Sequence, residues 1–307
     1  MTNKEILDKR WKPIDAKIQD FTKKMKYDVK TRINAYLKMF SINNDNLYDY
    51  MKTQELSMFK SELQDIQDEV SDYLKYKVDL MIKRTKIKNY EALQILIELA
   101  YYKTFKKAQK FEDELFNATA IITSEIVQRE SYDLRPHIKK YHLIPLPNYL
   151  LPHLMSLPLY LGYDWLSYKE NMIQYNANKM YRNIVIDIQQ NRLDLDRYKR
   201  TFEIERKRYL TALDNEVASL SSYVSLWGME KQGIKKVQFI AVMDERTTHI
   251  CESMDRQIFK INDWNTYYRY ANDKDEKLTM YKTYGLQIGE NQPALHYNCR
   301  SILIPYK

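Results

Sequence analysis

The stretch "KKVQFIAVMD", residues 235–244, decides the fold class because it is the first segment of the chain that is typical of a β-strand. It is rich in β-branched residues, among them Val237, Ile240 and Val242, and turn residues bound it. Nearly all of the chain before it repeats apolar residues at the three- and four-residue spacing of a helix. We therefore predict a mainly α-helical protein, in which a long-helix N-terminal region is followed by a small α+β C-terminal domain.

Glycine usage favours the same fold class. The 307-residue chain has five glycines, the first at Gly162, whereas average usage of about 7% would give roughly twenty. Glycine-dependent turns and phosphate-binding loops are therefore nearly excluded from the first half. Two cysteines argue against a disulfide-built secreted scaffold, and no run of eighteen apolar residues occurs. We expect a soluble cytoplasmic product without a signal peptide or a membrane anchor.

Apolar stripes predict three long helices in the first 135 residues. The first extends over residues 13–40, with Pro13 in its first turn, the second over residues 56–74 and the third from Asn89 to about Gln128. The whole region is expected to form a helical bundle or hairpin.

A cluster of five prolines between residues 136 and 158 predicts either an extended connection between two helical regions, packed against something else, or a docking segment for another subunit. Helices resume at Trp165, break near "QQNRLDLDRY" at residues 189–198, and are ended by Gly228 and Gly233. The tail is expected to add a helix over residues 262–273 and a final strand over residues 301–306. The predicted organisation is a long-helix bundle at 1–135, a proline-rich connection at 136–164, a helical region at 165–232 and an α+β domain at 233–307.

Charge alternates along the N-terminal helices, within a net charge of +8. Residues 1–40 carry eleven basic and five acidic side chains, residues 41–74 two and eight, and residues 75–110 ten and three. Neighbouring antiparallel helices of opposite charge could pair with each other. Alternatively, a basic face with interleaved tyrosines, as in "YLKYKV" and "YYKTFKK", could bind DNA or another partner. Both interpretations stay open on the sequence.

Two motifs near the C-terminus carry a family resemblance: "DERTTHICESMDRQIF", residues 244–259, and "PALHYNCRS", residues 293–301. They resemble the Mu F-like head-morphogenesis family of phage minor head proteins, whose pattern is matched by Asp244, Arg246, Thr247, Cys251, Met254, Asp255, Phe259, Pro293, His296, Asn298, Cys299 and Arg300. The chain departs from the pattern at Thr248 and Ser301, where the family often has cysteines, and at Arg256, where it has glycine.

The resemblance implies a non-enzymatic structural minor capsid protein of a tailed bacteriophage. Its implied place is the head interior or portal vertex of the virion, and the host cytoplasm during assembly. The implied partners are the portal protein, a capsid or scaffolding protein, and packaged double-stranded DNA that it meets at ejection. Acidic residues near Asp244 and Asp255 leave open a metal-dependent hydrolase or nuclease packaged in the virion, and the basic helices leave open a DNA-binding protein.

The two cysteines and two of the histidines allow four interpretations. His249, Cys251, His296 and Cys299 could hold a structural zinc ion, because they supply two pairs of nitrogen and sulfur donors. The cysteines could instead form a disulfide, or remain buried thiols beside a hydrogen-bonded histidine. A thiol nucleophile with His296 as its base is the fourth interpretation. No cofactor other than zinc is expected.

Overall fold

The fold, described from a computed structural model, is mainly α-helical with a small antiparallel sheet near the C-terminus, so the predicted fold class is confirmed. The structure describes residues 3–135, 140–156, 164–243, 247–261, 266–272, 278–284 and 299–307. Its helices are α1 Asn3–Lys24, α2 Val29–Met39, α3 Thr53–Gln64, α4 Asp72–Lys83, α5 Asn89–Asp133, α6 Leu150–Met155, α7 Trp165–Gln189, α8 Lys199–Lys231 and α9 His249–Met254. Its strands are β1 Lys236–Ile240, β2 Ile258–Lys260, β3 Thr266–Asn272, β4 Leu278–Tyr284 and β5 Ile302–Tyr306.

The first predicted helix is two helices. α1 and α2 are separated by residues 25–28, and the Asp28 carboxylate there accepts hydrogen bonds from Thr104 Oγ1 at 2.9 Å and Arg32 Nε at 3.2 Å. The predicted start was also wrong, because Pro13 lies inside α1 rather than in its first turn. Arg10, on the N-terminal side of the proline, is buried.

The second predicted helix is also divided, into α3 and α4. Ile66 and Val70 are buried in the turn between them, so the helical spacing of apolar residues continues through a segment that is not helical. The third predicted helix is confirmed as α5, which ends at Asp133, five residues later than predicted.

The proline-rich connection contains one short helix. Pro152 lies in the first turn of α6, where a missing N–H costs no hydrogen bond, so the prediction of a wholly extended segment was wrong. The connection is packed against helix α5, as predicted. Gln128 Nε2 donates to the carbonyl of Ile144 at 2.8 Å, and the Ile144 N–H donates back to Gln128 Oε1 at 2.8 Å.

Helices α7 and α8 confirm the predicted break near residue 190. α8 passes through Gly228, contrary to the prediction, and a Cβ there would lie 3.4 Å from Val127 Cγ1. Gly228 therefore permits close packing of α8 on α5. The helix ends at Lys231, and Gly233 follows in the left-handed conformation with a φ of 70°.

The chain forms two compact units, each assembled from separated stretches. The first unit comprises Met1–Lys24, Phe111–Tyr168 and Tyr209–Lys307, and the second unit comprises Met25–Lys110 and Lys169–Arg208. The sequence-based boundaries divide the chain into consecutive ranges instead, and they stay a prediction. Within the part of the chain that the structure describes, no helix is long and apolar enough to span a bilayer.

A three-stranded antiparallel sheet, in the order β2-β1-β5, closes the first unit. Phe239 on β1 lies opposite Leu303 on β5, and Val237 lies opposite Phe259 on β2. The predicted strands at both ends of the tail are therefore confirmed. The apolar core between this sheet and the ends of α5 and α8 contains Val127, Leu226, Met229, Ile234, Val237, Phe239, Ala241, Cys251, Met254, Phe259, Cys299 and Leu303.

The helix predicted over residues 262–273 is wrong. Thr266–Asn272 forms strand β3, which pairs in antiparallel register with β4. Its composition, threonine and three tyrosines in seven residues, gives the physical reason, since these residue types favour strands. Residues 262–265 and 273 lie outside the described residues.

Candidate functional site

The two cysteines come together in the core beneath the sheet. Cys251 lies on α9, Cys299 precedes β5, and their Sγ atoms are 3.7 Å apart although 48 residues separate them. Ser301 Oγ lies 3.2 Å from the sulfur of Cys251, and Thr248 caps α9 by accepting from the N–H of Cys251 at 3.5 Å. The structure thus joins residues from both C-terminal motifs in one cluster.

Both cysteines are free thiols and only 2% exposed. Their sulfur separation is that of two atoms in contact, not of a disulfide bond, which is about 2.05 Å. The hydrogen bond with Cys299, together with burial, raises the pKa of Cys251 well above its usual value. Cys251 therefore stays protonated at neutral pH, and a protonated thiol is a poor nucleophile and a poor metal ligand.

The zinc interpretation needs four donors, of which the structure describes three. His249 turns to its own helix, where its Nδ1 lies 3.5 Å from Glu252 Oε2. In the described ranges, no three His, Cys, Asp or Glu side chains are grouped so that they could hold a metal ion. His296 lies outside those ranges, as does Asn298, so a zinc site at His249, Cys251, His296 and Cys299 stays a prediction.

Two motif residues hold the backbone where β1 ends. Asp255 Oδ1 accepts from the N–H of Ala241 at 2.8 Å, and Thr247 Oγ1 donates to the carbonyl of Val242 at 2.5 Å. Both side chains thus fix the course of the chain around α9. Asp244 and Arg246, the other residues of this motif, lie outside the described residues.

Arg256 occupies the position at which the resembling family has glycine. Its φ is 58°, in the left-handed region that glycine enters without a steric penalty. Its N–H donates to the carbonyl of Phe239 at 2.7 Å, which holds the turn against β1. The backbone of this chain therefore has the conformation that would explain the family's glycine.

Helix α1 supplies contacts that the sequence did not predict. Arg10, 2% exposed, forms an ion pair with Glu130 at 2.5 Å and donates to Ser225 Oγ at 3.1 Å and to the carbonyl of Leu303 at 3.3 Å. These groups are 120 to 293 residues from Arg10 in the chain, so no local pattern indicates them.

The last motif residue, Arg300, also contacts α1. Trp11 Nε1 donates to the carbonyl of Arg300 at 2.9 Å, and Arg300 Nη1 lies 3.8 Å from Asp15 Oδ2. Arg300 thus links the closing motif to the N-terminal helix. Together with the contact of Arg10 to Leu303, these bonds cover carbonyls at the edge of β5, an outer strand of the sheet.

The second unit buries a polar network of its own. Glu205 Oε2 accepts hydrogen bonds from Tyr27 Oη at 2.9 Å and from Tyr101 Oη at 2.8 Å. Burial raises the pKa of Glu205, whereas the two hydroxyl donors lower it. The sequence gives no signal for this network, because its members lie on α5, on α8 and in the segment between α1 and α2.

Ion pairs on the second unit support the charge-pairing interpretation of its helices. Lys106 Nζ lies 2.6 Å from Glu69 Oε2, and Lys103 pairs with Glu62. Both pairs join the basic segment 75–110 to the acidic segment 41–74.

The geometry around the cysteines is that of a structural core. Both thiols are buried, Cys251 is protonated, and the neighbouring motif side chains bond to the backbone. Comparisons with protein-family models, with curated proteins and with solved structures found no match for this chain. The function must therefore be argued from the motifs and from the contacts that their residues make.

Proposed function

We propose that the chain is a structural minor head protein of a tailed bacteriophage. The observation that supports this best is the contact between the two halves of the family motif. Cys251 and Cys299 are 48 residues apart in the chain, yet their sulfurs are 3.7 Å apart inside one core. A shared scaffold explains why a chain would keep both motifs together.

Arg256 supports the resemblance independently of the cysteines. A glycine in the family pattern has a physical reason only where the backbone must adopt a positive φ or approach another group closely. Arg256 has a positive φ. The turn that the family motif would need is thus present even though the glycine is not.

The contacts of the motif residues favour a structural role over a catalytic one. Asp255 and Thr247 bond to the backbone, and Arg300 pairs with Asp15 on α1. A raised pKa keeps Cys251 in the thiol form, which is unsuited to nucleophilic attack. The proposal is accordingly a non-enzymatic protein.

The proposed partners are the portal protein and a capsid or scaffolding protein, with packaged DNA as a further contact. The proposed site of action is the portal vertex or head interior, reached from the host cytoplasm during assembly. The long helices are proposed as the part that binds partners.

Co-expression with the portal protein of the same phage tests this function. We expect the two proteins to co-purify through a tag on the portal, and a portal from an unrelated phage serves as the control. Failure to co-purify with the cognate portal, or an equal yield with the unrelated one, would contradict the proposal.

An activity assay tests the catalytic alternative. Plasmid, peptide and peptidoglycan are incubated with the protein and divalent metal ions. We expect no turnover above that of a heat-denatured sample. Turnover that Cys251→Ala or Asp244→Ala abolishes would overturn the structural role.

A further inference from the structure

Two adjacent loops of the second unit form a fixed platform on its surface. The Met51 N–H donates to the carbonyl of Ile87 at 2.9 Å, and the Asn89 N–H donates to the carbonyl of Asp49 at 2.9 Å. Leu47 and Ile87 are fully buried and hold the loops on the core. The side chains between these points therefore sit on a rigid backbone.

The platform carries a dense run of positive charge. Lys83, Arg84, Lys86 and Lys88 fall within six residues. Arg84 is paired with Glu91 at 2.7 Å. The three lysines have no ion-pair partner among the residues that the structure describes, so their charge is available to an external anion.

Tyr50 organises two of these lysines. Its side chain is 56% exposed, and the ammonium groups of Lys86 and Lys88 lie 5.8 Å and 5.6 Å from the centre of its ring. Both distances are within the range of cation–π attraction. The ammonium groups therefore lie at most about 11 Å apart, a span over which one DNA strand presents roughly three phosphates.

Tyr48 extends the platform. It is 56% exposed, packs against Tyr90 with the ring centres 5.9 Å apart, and hydrogen-bonds with the side chain of Gln189. Two carboxylates, Asp45 and Asp49, also lie on these loops. They oppose anion binding, so any polyanion bound here would be held weakly and released readily by salt.

We propose that this platform, defined by Tyr48, Tyr50, Lys83, Lys86 and Lys88, binds the phosphate backbone of double-stranded DNA. The proposal deepens the proposed function, on which it rests, by assigning its DNA contact to one surface. Duplex phosphates fit better than unpaired bases because ammonium groups already lie against the ring of Tyr50, where a base would have to stack. Binding is expected to be independent of base sequence.

The test measures the affinity of the full chain for a fluorescent 25-base-pair duplex between 50 and 300 mM salt. Each phosphate contact contributes about 0.9 to the slope of log K against log salt concentration. We expect Lys86→Gln/Lys88→Gln to reduce the slope by about 1.8 and to weaken binding at 50 mM salt at least tenfold. Lys17→Gln/Lys23→Gln on α1, an equal change of net charge, is the matched control and should leave the slope unchanged.

Tyrosine variants separate the ring from the hydroxyl. Tyr50→Phe keeps the aromatic face and should bind like the parent. Tyr50→Leu releases both lysines and should weaken binding severalfold. The proposal would be overturned if the two lysine double variants lost affinity equally, or if the parent did not bind the duplex at 50 mM salt. Tighter binding of single-stranded than of duplex DNA of equal length would also overturn it.

The portal assay separates this proposal from the function on which it rests. Lys86→Gln/Lys88→Gln should still co-purify with the cognate portal. If the parent binds the portal but not DNA, only the DNA surface is wrong. If the parent binds DNA through these lysines but not the portal, the platform is correct and the head-protein function is wrong.

Discussion

Helix α8 buries Glu205 near its N-terminus and Glu216 near its middle, but of these two only Glu205, in the second unit, is surrounded by donors. It accepts hydrogen bonds from two tyrosine hydroxyls. In the first unit, Glu216 is 4% exposed, and its Oε1 has no hydrogen-bond partner among the described residues. Burial, and to a lesser degree the charge of Asp164, raises the pKa of Glu216 to about 8. Identical side chains on one helix thus have different polar surroundings, because two tyrosine hydroxyls donate to Glu205 and no described group donates to Oε1 of Glu216.

Buried ionisable side chains are therefore stabilised in more than one way in this protein. The first unit also contains Arg10, whose guanidinium is paired with Glu130. A paired ion and a neutral acid are alternative ways to avoid a buried, uncompensated charge. Three substitutions test these arrangements and a fourth tests the turn at Arg256, beginning with the largest expected effect.

Removal of Arg10 would break the paired arrangement. Arg10→Ala leaves Glu130 without its closest cation and the carbonyl of Leu303 without a donor, so we expect a loss of about 3–5 kcal/mol in the free energy of unfolding. Chemical denaturation measures it. Lys9→Ala is the matched control, because Lys9 contacts the same carboxylate at 3.4 Å but is 40% exposed, and it should cost about 1 kcal/mol or less. Equal losses would show that burial does not determine the cost.

The variant Glu216→Gln tests, through the pH dependence of stability, whether Glu216 is protonated in the folded chain. The folded-state pKa of Glu216, about 8, lies above the ordinary value of 4.5, so the folded chain keeps a proton that the unfolded chain releases between these values. The stabilisation that this proton contributes to the folded chain is complete below pH 4.5. It decreases as the pH rises from 4.5 and is lost as the pH passes 8, with a slope of at most about 1.4 kcal/mol per pH unit.

We therefore expect Glu216→Gln to match the parent near pH 4.5 and to exceed its stability above pH 8, by at most about 5 kcal/mol. Denaturation midpoints from pH 4 to 9 measure the difference. A constant offset between parent and variant at every pH would refute the assigned pKa.

Loss of one donor would test the network at Glu205. Tyr101→Phe removes a hydroxyl from a buried carboxylate that keeps only Tyr27 as a tyrosine donor, and we expect a cost of about 1–2 kcal/mol. The double variant Tyr27→Phe/Tyr101→Phe should cost more than the sum of the single variants, because the last donor is then removed. Additive costs in this double-mutant cycle would mean that the hydroxyls act separately.

Arg256→Gly has the smallest expected effect. Glycine relieves the positive φ at this turn but increases the entropy of the unfolded chain, so a net gain of about 0.5–1 kcal/mol is expected. Thermal denaturation measures it, with Arg256→Ala as the control that keeps the steric penalty and should gain nothing. A gain in Arg256→Ala equal to that in Arg256→Gly would exclude backbone strain as the cause.

The sequence predicted the helical fold class because apolar spacing is a local property. Apolar spacing did not reveal the turn between α3 and α4, because Ile66 and Val70 continue the helical spacing although the backbone leaves the helix there. The hairpin strand Thr266–Asn272 was mistaken for a helix although its threonine and tyrosines favour a strand.

The candidate site was predictable only in part. Spacing alone cannot join Cys251 to Cys299 across 48 residues, and the motif resemblance suggested that these stretches belong together. The partners of Arg10 and Glu205 were invisible, because tertiary packing brings together polar groups that lie a hundred or more residues apart. Arginine in an amphipathic helix is typical of an exposed surface, and here it is buried.

The bonds from Arg10 and Trp11 to the carbonyls beside β5 have a consequence for the order of folding. On the ribosome, Arg10 of helix α1 is made 293 residues before Leu303, one of its hydrogen-bond partners. Until translation reaches Leu303, the guanidinium of Arg10 can meet Glu130 and Ser225 but lacks the carbonyl that completes its contacts. Such distant closure slows folding. We therefore expect helix α1 to stay open to chaperones and proteases until Leu303 has been made.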